Sequence, residues 1–333
     1  MSHAYGQLLG IEEAGALILA GGDRCFAICG DEAMLARLPR GRWVGGTIPY
    51  FMAEDLGGTV SRRHVLVAEL PTFGRAASIR SYDRDALARI PRDAPANGYS
   101  FLILPAFSDA HLEFAKSAPY YPDLFLKPLF GWVAGIHLDD LGTVAPKVFA
   151  GDTGTAFTDR AVVLHVELPP DKVAVVDILN IFEPADGTVI AFPSTGFSAQ
   201  DCTIDGHPEN FARWCERMQI DSRLPLVADY CGANVNVCIR EVDAARGEVS
   251  FYAPVFDGVQ YRFAKPVPDY PAAFAAAMAS LPASAPFACN CILNFLYGGL
   301  EGHLAGMPGP VTFGEVAYQL LNQTMVYFDI HDA

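Results

Sequence analysis

Apolar and polar positions along the chain follow a pattern that returns three times. The first copy has apolar runs at residues 16–30, 42–52 and 64–70 around a helix-like segment at 31–38. The second has runs at 99–107, 129–138 and 161–169 around a helix-like segment at 108–118. The third places a helix-like segment at 271–281 before runs at 287–296, 309–316 and 323–330. Runs rich in Val, Ile, Phe and Tyr between Gly and Pro are typical of strands. The pattern therefore predicts a loosely repeated strand–helix–strand–strand unit.

A different block separates the second and third copies. Residues 205–220 have apolar side chains at the spacing of one helix face, and Pro208 suits a first helical turn. Four alternating runs follow at 224–231, 235–242, 247–255 and 260–266, with turns near Gly247 and Gly258. They predict an antiparallel meander. The polar, turn-rich segment after Pro193 suggests two domains, at residues 1–192 and 193–333.

These patterns together predict an α+β fold with strand-rich mixed sheets, because regular βαβ alternation is absent. The chain has 333 residues, of which 51% are hydrophobic and 18% charged, so it can bury a large core. No glycine-rich phosphate motif follows a strand, so the sequence offers no nucleotide site.

The net charge of −15 disfavours nucleic acids and anionic membranes as partners, because both bind Lys and Arg clusters. The N-terminus lacks the basic start of a signal peptide, which predicts a cytoplasmic protein with reduced cysteines. Residues 270–300 carry no formal charge, but prolines interrupt them, so they do not predict a membrane span. They predict a buried element or an interface in a homo-oligomer.

Cys289 and Cys291 are the first candidates for chemistry. On a strand they share a face, and with His303 they could contribute to a metal site, which normally needs about four ligands. Alternatively Cys289 is the nucleophile of an enzyme, which requires a neighbouring base. The structural alternative is a packed strand, because free cysteine is commonly buried as a small apolar residue.

Glu315 is the second candidate. It is the only formally charged side chain between Glu301 and Asp329, and no Lys or Arg follows Lys265. A carboxylate in apolar surroundings is costly unless it has a partner. Glu315 therefore predicts either a surface loop or a buried site that receives backbone N–H groups or a ligand amine.

The C-terminal third resembles the FIST sensory family. The likeness rests on FACNC at 287–291, TFGEV at 312–316, NQT at 322–324 and TIDGHPENF at 203–211. VGGTIPYF at 44–51 and the segment 148–168 resemble the family's N-terminal part, so the likeness spans most of the chain. The family tends to carry an arginine shortly after the cysteine, whereas Ile292 and Leu293 follow Cys291 here.

The resemblance implies a sensory or regulatory module that binds a small molecule, with amino acids as the ligand class and a signalling protein as partner. It also implies haem or iron–sulfur binding as an alternative, and an assembly scaffold remains a further one. Candidate ligand contacts share their place in the quoted motifs or a charge that suits a carboxylate. They are Cys289, Gly314, Glu315, Asn322 and Thr324, with Arg240 and Arg262 as carboxylate partners.

Overall fold

The computed structural model describes residues 6–230, 233–279, 281, 285–304 and 306–333. Within these residues the strands form four sheets of six strands and one of three. Parallel and antiparallel pairs occur in the same sheets, and helices are fewer than strands. The predicted α+β class is confirmed.

The first part of the chain, which we call unit one, covers residues 6–70. It begins with an edge strand and a helix, and a second, short helix connects its two parallel strands. Its elements are β1 (Gln7–Leu9), α1 (Ile11–Leu19), β2 (Cys25–Gly30), α2 (Glu32–Leu35), β3 (Trp43–Thr47), β4 (Tyr50–Ala53), β5 (Gly57–Val60) and β6 (Val65–Leu70).

Unit two covers residues 77–167 and repeats this order. Short 3-10 turns at Arg84–Arg89, Ala118–Tyr120, Leu124–Leu126 and Leu138–Asp140 extend its connections. Its elements are β7 (Ala77–Tyr82), α3 (Ile90–Asp93), β8 (Gly98–Pro105), α4 (Asp109–Ser117), β9 (Leu129–Ala134), β10 (Val148–Ala150), β11 (Thr155–Phe157) and β12 (Ala161–Glu167).

Unit three is split by an insertion. It begins with β13 (Lys172–Leu179), after which residues 180–267, the inserted segment, interrupt it. The inserted segment contains β14 (Ile190–Ala191), β15 (Gly196–Ala199), β16 (Asp201–Ile204), β17 (His207–Asn210), α5 (Phe211–Arg217), β18 (Leu226–Tyr230), β19 (Ala233–Val237), β20 (Ile239–Asp243), β21 (Glu248–Val255) and β22 (Gln260–Phe263). Unit three resumes with α6 (Tyr270–Met278), β23 (Phe287–Cys291), α7 (Ile292–Tyr297), β24 (Gly309–Thr312), β25 (Glu315–Ala317), β26 (Gln319–Leu321) and β27 (Met325–Asp332).

The three units share one sheet plan. Two strands connected by a short helix run parallel: β2 with β3, β8 with β9, and β23 with β24. A closing strand, β6, β12 or β27, lies antiparallel on the outer side of the first strand, and the edge strand lies beyond it. The hairpin after the second strand crosses to another unit's sheet. Thus β4–β5 joins unit three, β10–β11 joins unit one and β25–β26 joins unit two. This exchange is cyclic, so no unit completes its sheet alone.

Aromatic side chains from units two and three form much of the common core. The rings of Phe130 and Phe328 stack with centroids 4.2 Å apart, and Phe287 lies 4.9 Å from Phe101 and 5.7 Å from Trp132. Burying one such side chain stabilises the fold by roughly 1.5–3 kcal/mol. Because these residues belong to β8, β9, β23 and β27, the core joins the first half of the chain to its C-terminal third.

Four sequence predictions need correction. The run 287–296 is a strand only to Cys291, after which α7 begins, and the end of α1 occupies the start of the run 16–30. Pro208 lies in β17, paired with Thr203, and the helix of this block starts at Phe211. The predicted meander is divided between two sheets, with β18, β19 and β22 in one and β20 and β21 in the other. β13 and β14, which precede the predicted boundary at residues 192/193, share sheets with strands that follow it.

Candidate functional site

The sheet registers show which residues are equivalent in the three units. Cys29, Ile103 and Cys289 each lie opposite the second residue of the closing strand. Two residues further on, at the end of the first strand, are Asp31 in unit one, Pro105 in unit two and Cys291 in unit three. The equivalence identifies the positions at which unit three departs from the others.

Cys289 occupies a core position of the repeat. It is 1% exposed and lies against the backbone carbonyl of Gly131, with its sulfur 3.4 Å from that oxygen. Its counterparts, Cys29 and Ile103, are buried in the same way. All three units therefore place a buried, largely apolar side chain at this position.

Cys291 lies at the junction between β23 and α7. It is the residue before the first turn of α7, as Asp31 is before α2. Asp31 caps its helix by accepting a 3.0 Å hydrogen bond from the Ala33 amide, whereas the Cys291 side chain makes no capping bond. The Cys291 thiol thus lies where the chain leaves the sheet, but it does not cap a helix as Asp31 does.

Glu315 begins β25, the strand that unit three contributes to the sheet of unit two. It pairs with Trp132 across that sheet, and Val148 takes the equivalent place opposite Gly46. The side chain is fully buried. Its Oε2 accepts a 3.3 Å hydrogen bond from Thr324, but Oε1 has no partner among the described residues. Unit three therefore buries a carboxyl group where unit two has a valine.

Burial raises the pKa of Glu315 well above its usual range. The Cys291 thiol and the Thr324 hydroxyl oppose this shift because they favour the carboxylate. Burial also raises the pKa of the Cys291 thiol, and the negative charge of Glu315 adds to the effect. A thiol and a carboxyl group thus lie close enough to influence each other's protonation.

The inserted segment covers this end of unit three. Cys238, between β19 and β20, donates from its thiol to Gln323 Oε1 at 2.9 Å and from its backbone amide to Asn322 Oδ1 at 3.3 Å. Asn236 donates to the Gln323 carbonyl at 3.1 Å. Asn322 Nδ2 is buried and has no partner in the described part of the chain. A free donor and a free acceptor therefore belong to the same buried cluster, which we define as Cys238, Cys291, Glu315, Asn322 and Thr324.

An open groove of about 390 Å³ lies beside the cluster. Its lining includes Arg223, Tyr270, Tyr297 and Gln323. Gln323 contacts both the groove and the cluster. Its Nε2 donates to the carbonyl of Arg223 in the groove wall at 3.3 Å, and its Oε1 accepts from the thiol of Cys238 in the cluster. Burial raises the pKa of Tyr270 and of Tyr297, and the negative form of the Cys291 thiol adds to the rise, so the thiol lies close behind the groove wall. Gln323 separates the groove from the buried cluster.

Unit one has a groove at the same end of its sheet. It measures about 360 Å³ and is lined by Asp31, Thr47, Arg62, His137 and Asp140 among others. Both grooves lie at the carboxyl ends of a parallel strand pair, where open α/β sheets commonly bind ligands. In unit one the groove has no inserted segment beside it, which makes it a natural internal comparison.

The other predicted contacts do not meet at the cluster. Gly314 contributes its carbonyl, which accepts from Thr312 Oγ1 at 2.9 Å. Arg240 is exposed on β20 beside Tyr252, whose pKa it lowers in opposition to burial. Arg262 is exposed on β22, within a sheet of the inserted segment. Neither arginine lines the groove of unit three, so their predicted role as carboxylate partners has no support there.

The predicted metal ligands are likewise not assembled. His303 is exposed in the connection between α7 and β24, while both cysteines are buried. The described ranges contain no group of three or more His, Cys, Asp or Glu side chains that could hold a metal ion. Cys289, Cys291 and His303 are therefore not gathered into one centre.

Several residues that line the groove or contact the cluster were not indicated by any sequence pattern. Arg223, Tyr270 and Tyr297 line the groove, and Cys238 and Gln323 connect it to the cluster. Gln323 lies inside the quoted motif NQT and has a positive φ of 54°, which is uncommon for a residue other than glycine. Cys238 could not be found from spacing, because the inserted segment brings it to unit three from a different part of the chain.

Comparison with known proteins assigns the chain to a family. A family of unknown function, DUF6976, has a model that matches residues 9–331. The chain belongs to that family. No curated protein and no solved structure gives a significant match. The resemblance to the FIST sensory family stays a prediction for this DUF6976 member. No helix in its described ranges is long and apolar enough to cross a membrane.

Proposed function

We propose that this DUF6976 protein binds a small molecule in the groove of unit three, in a sensory or regulatory role. The main observation is that only Gln323 separates a groove of about 390 Å³ from a buried cluster in which one acceptor and one donor have no partner among the described residues. Binding sites for small ligands are concave, commonly 300–1,000 Å³, and use a few placed polar groups for orientation. Buried polar atoms are normally hydrogen-bonded, so the two free atoms favour a polar partner at this place.

The charges around the groove suit a zwitterion. Arg223 lies on its rim and is paired with Asp221 at 2.7 Å, and Asp269 also belongs to the lining. A ligand carboxylate could accept from the guanidinium, which has more donors than Asp221 uses. Tyr270 and Tyr297 offer apolar walls with polar ends. This agrees with the amino-acid class that the FIST resemblance implies.

A thermal-shift screen against amino acids and related metabolites tests the proposal. Ligand that binds only the folded state must raise the melting temperature. We expect at least one amino-acid-like compound to do so for the wild type and for Arg62→Ala, and not for Arg223→Ala. Arg62→Ala is the matched control because Arg62 lines the groove of unit one.

Two results would contradict the proposal. One is that no compound changes the melting temperature at millimolar concentration. The other is that Arg62→Ala abolishes the shift while Arg223→Ala retains it, which would place the ligand in unit one.

A further inference from the structure

The three units carry different chemistry at equivalent positions. At the first strand's end, Asp31 and Pro105 correspond to Cys291. On the strand exchanged between units, Val148 corresponds to Glu315. Both departures in unit three are ionisable side chains, and Thr324 joins them. Its carbonyl accepts from the Cys291 amide at 3.2 Å, and its hydroxyl donates to Glu315 Oε2 at 3.3 Å. Cys289, by contrast, repeats the core role of Cys29 and Ile103. The repeat therefore separates one structural cysteine from one that the fold does not require.

The sulfur of Cys291 has a carboxyl group beside it. The thiol does not cap α7. Burial and the negative charge of Glu315 raise its pKa, and the backbone amides of Leu293 and Gln323 act against that rise. Glu315 supplies a carboxyl oxygen with no hydrogen-bond partner among the described residues. A thiol becomes an effective nucleophile when an adjacent base takes its proton.

We propose that Cys291 is a nucleophile that attacks the acyl carbon of an ester or amide group in a small ligand, with Glu315 as the base. This inference rests on the proposed function, because the ligand reaches the thiol from the groove of unit three. It differs from a Cys289 nucleophile, since that side chain packs against Gly131 in the core.

The step is balanced in atoms and electrons. The Cys291 sulfur forms a bond to the acyl carbon, and the thiol proton passes to Glu315. The bond from that carbon to the ester oxygen or amide nitrogen then breaks, and the leaving group takes the proton from Glu315. Water hydrolyses the resulting thioester, giving its proton to Glu315, which returns it to the departing sulfur. Asn322 Nδ2, a buried donor without a partner in the described ranges, suits the negative charge that develops on the carbonyl oxygen.

Gln323 controls the route from the groove to the thiol. Its side chain is 1% exposed and bonds both the Arg223 carbonyl and the Cys238 thiol. A ligand carbonyl or amide can replace one of these bonds, because each is a single neutral contact. Displacement of this side chain exposes the cluster without moving the core of unit three.

Acetylation by p-nitrophenyl acetate tests the inference. We expect one p-nitrophenolate released rapidly per chain, and mass spectrometry of peptides should locate one acetyl group on Cys291. Cys291→Ser, which preserves the shape of the side chain, should abolish the burst. Cys289→Ser, two residues away and equally buried, should retain it.

Glu315→Gln should slow acetylation by about 100-fold, the lower limit for loss of a general base. In the wild type the rate should rise with pH as Glu315 loses its proton, and in Glu315→Gln this rise should disappear. The titratable groups that interact with Glu315 are the thiols of Cys238, Cys289 and Cys291 and the hydroxyl of Tyr270, and all keep high pKa values. A merely structural role of Glu315 would not remove this pH dependence.

The inference is overturned if Cys291 remains unmodified, or if Cys291→Ser and the wild type are acetylated alike. These results are independent of the thermal-shift screen. A ligand that raises the melting temperature while Cys291 stays unmodified would leave the binding function standing and remove the nucleophile. Acetylation of Cys291 without any thermal shift would support the nucleophile and contradict the proposed binding of amino-acid-like ligands.

Discussion

Asp31 and Cys291 occupy the same position in two repeats of one chain. Asp31 directly follows the first strand of unit one, Cys291 ends that of unit three, and each directly precedes a short helix. Asp31 satisfies the Ala33 amide, as a capping residue does. Cys291 does not cap, and its neighbour Glu315 replaces an apolar residue. Unit three therefore lacks the helix-capping hydrogen bond of unit one at the position where Cys291 and Glu315 lie together.

The titration of Glu315 should appear in the pH dependence of stability. Its folded pKa is raised above the unfolded value near 4.5, so the fold prefers the protonated form. Its contribution is complete below that value and is lost as the pH rises toward the folded pKa. The free energy of unfolding of the wild type, minus that of Glu315→Gln, should fall by about 1.4 kcal/mol per pH unit in that range.

Urea unfolding at pH 5, 6 and 7 measures this difference. The buried His111 and His165, whose pKa values are lowered to about 4, act in the opposite sense but are common to both proteins. A difference that does not change with pH would mean that Glu315 is charged in the folded protein throughout.

Cys289 should accept a larger apolar side chain. Ile103 fills the equivalent position in unit two, so Cys289→Val should change the free energy of unfolding by less than about 1.5 kcal/mol. Cys29→Val, at the same place in unit one, is the matched control and should behave alike. Chemical denaturation checks both. A loss well above 3 kcal/mol for Cys289→Val alone would show that its thiol has a role of its own.

Asn236 should anchor the inserted segment to unit three. Its fully buried amide donates to the Gln323 carbonyl at 3.1 Å and to Asn180 Oδ1 at 3.1 Å. Asn236→Ala leaves both acceptors without this donor, which should cost roughly 1–3 kcal/mol of unfolding free energy. The same variant should speed alkylation of Cys238 by iodoacetamide.

Asn234→Ala, two residues earlier on β19 and only partly buried, provides the comparison for Asn236. Its effect should stay within about 0.5 kcal/mol. Equal effects of the two substitutions on stability and on Cys238 alkylation would argue against a specific anchor.

Gly131 should tolerate no side chain. It has a φ of 152°, and a Cβ atom there would lie 1.8 Å from the Leu102 carbonyl oxygen on the parallel neighbour β8. Gly131→Ala should therefore separate β8 from β9 and cost more than about 4 kcal/mol, or prevent folding. Gly142→Ala has a similar backbone restriction but open space around it, and should cost only about 1 kcal/mol. Comparable melting temperatures for the two variants would contradict the close contact.

Much of the architecture was accessible from local patterns. The three copies of apolar runs correspond to three units that share one sheet plan, because side chains that alternate or cluster report burial of a strand. The strand at Phe287–Cys291 and the helical face containing Phe211 and Trp214 were predicted on the same physical basis. The division of the run 287–296 at Cys291 was missed, since a short apolar segment has no periodicity that distinguishes strand from helix.

The sequence predicted only part of the candidate site. Glu315 was selected as an isolated acid in apolar surroundings and Thr324 by its place in the motif NQT, and the two form a hydrogen bond. Cys289 was preferred over Cys291 as a ligand contact, because nothing in the spacing shows which of the two buried cysteines lies beside Glu315. Arg240 and Arg262 were chosen by charge alone, whereas Arg223 is the arginine that lines the groove.

The sequence by itself determined the strand-rich class, the threefold pattern and the isolated acid at position 315, because each depends on residues close together in the chain. Only the tertiary structure decided that hairpins are exchanged between units and that Glu315 therefore enters the sheet of unit two. It also decided that Cys238 meets Gln323 and Cys291, since the insertion of residues 180–267 brings Cys238 to unit three. Contacts between distant segments depend on how three incomplete sheets bury one another's edges, and no local pattern encodes that pairing.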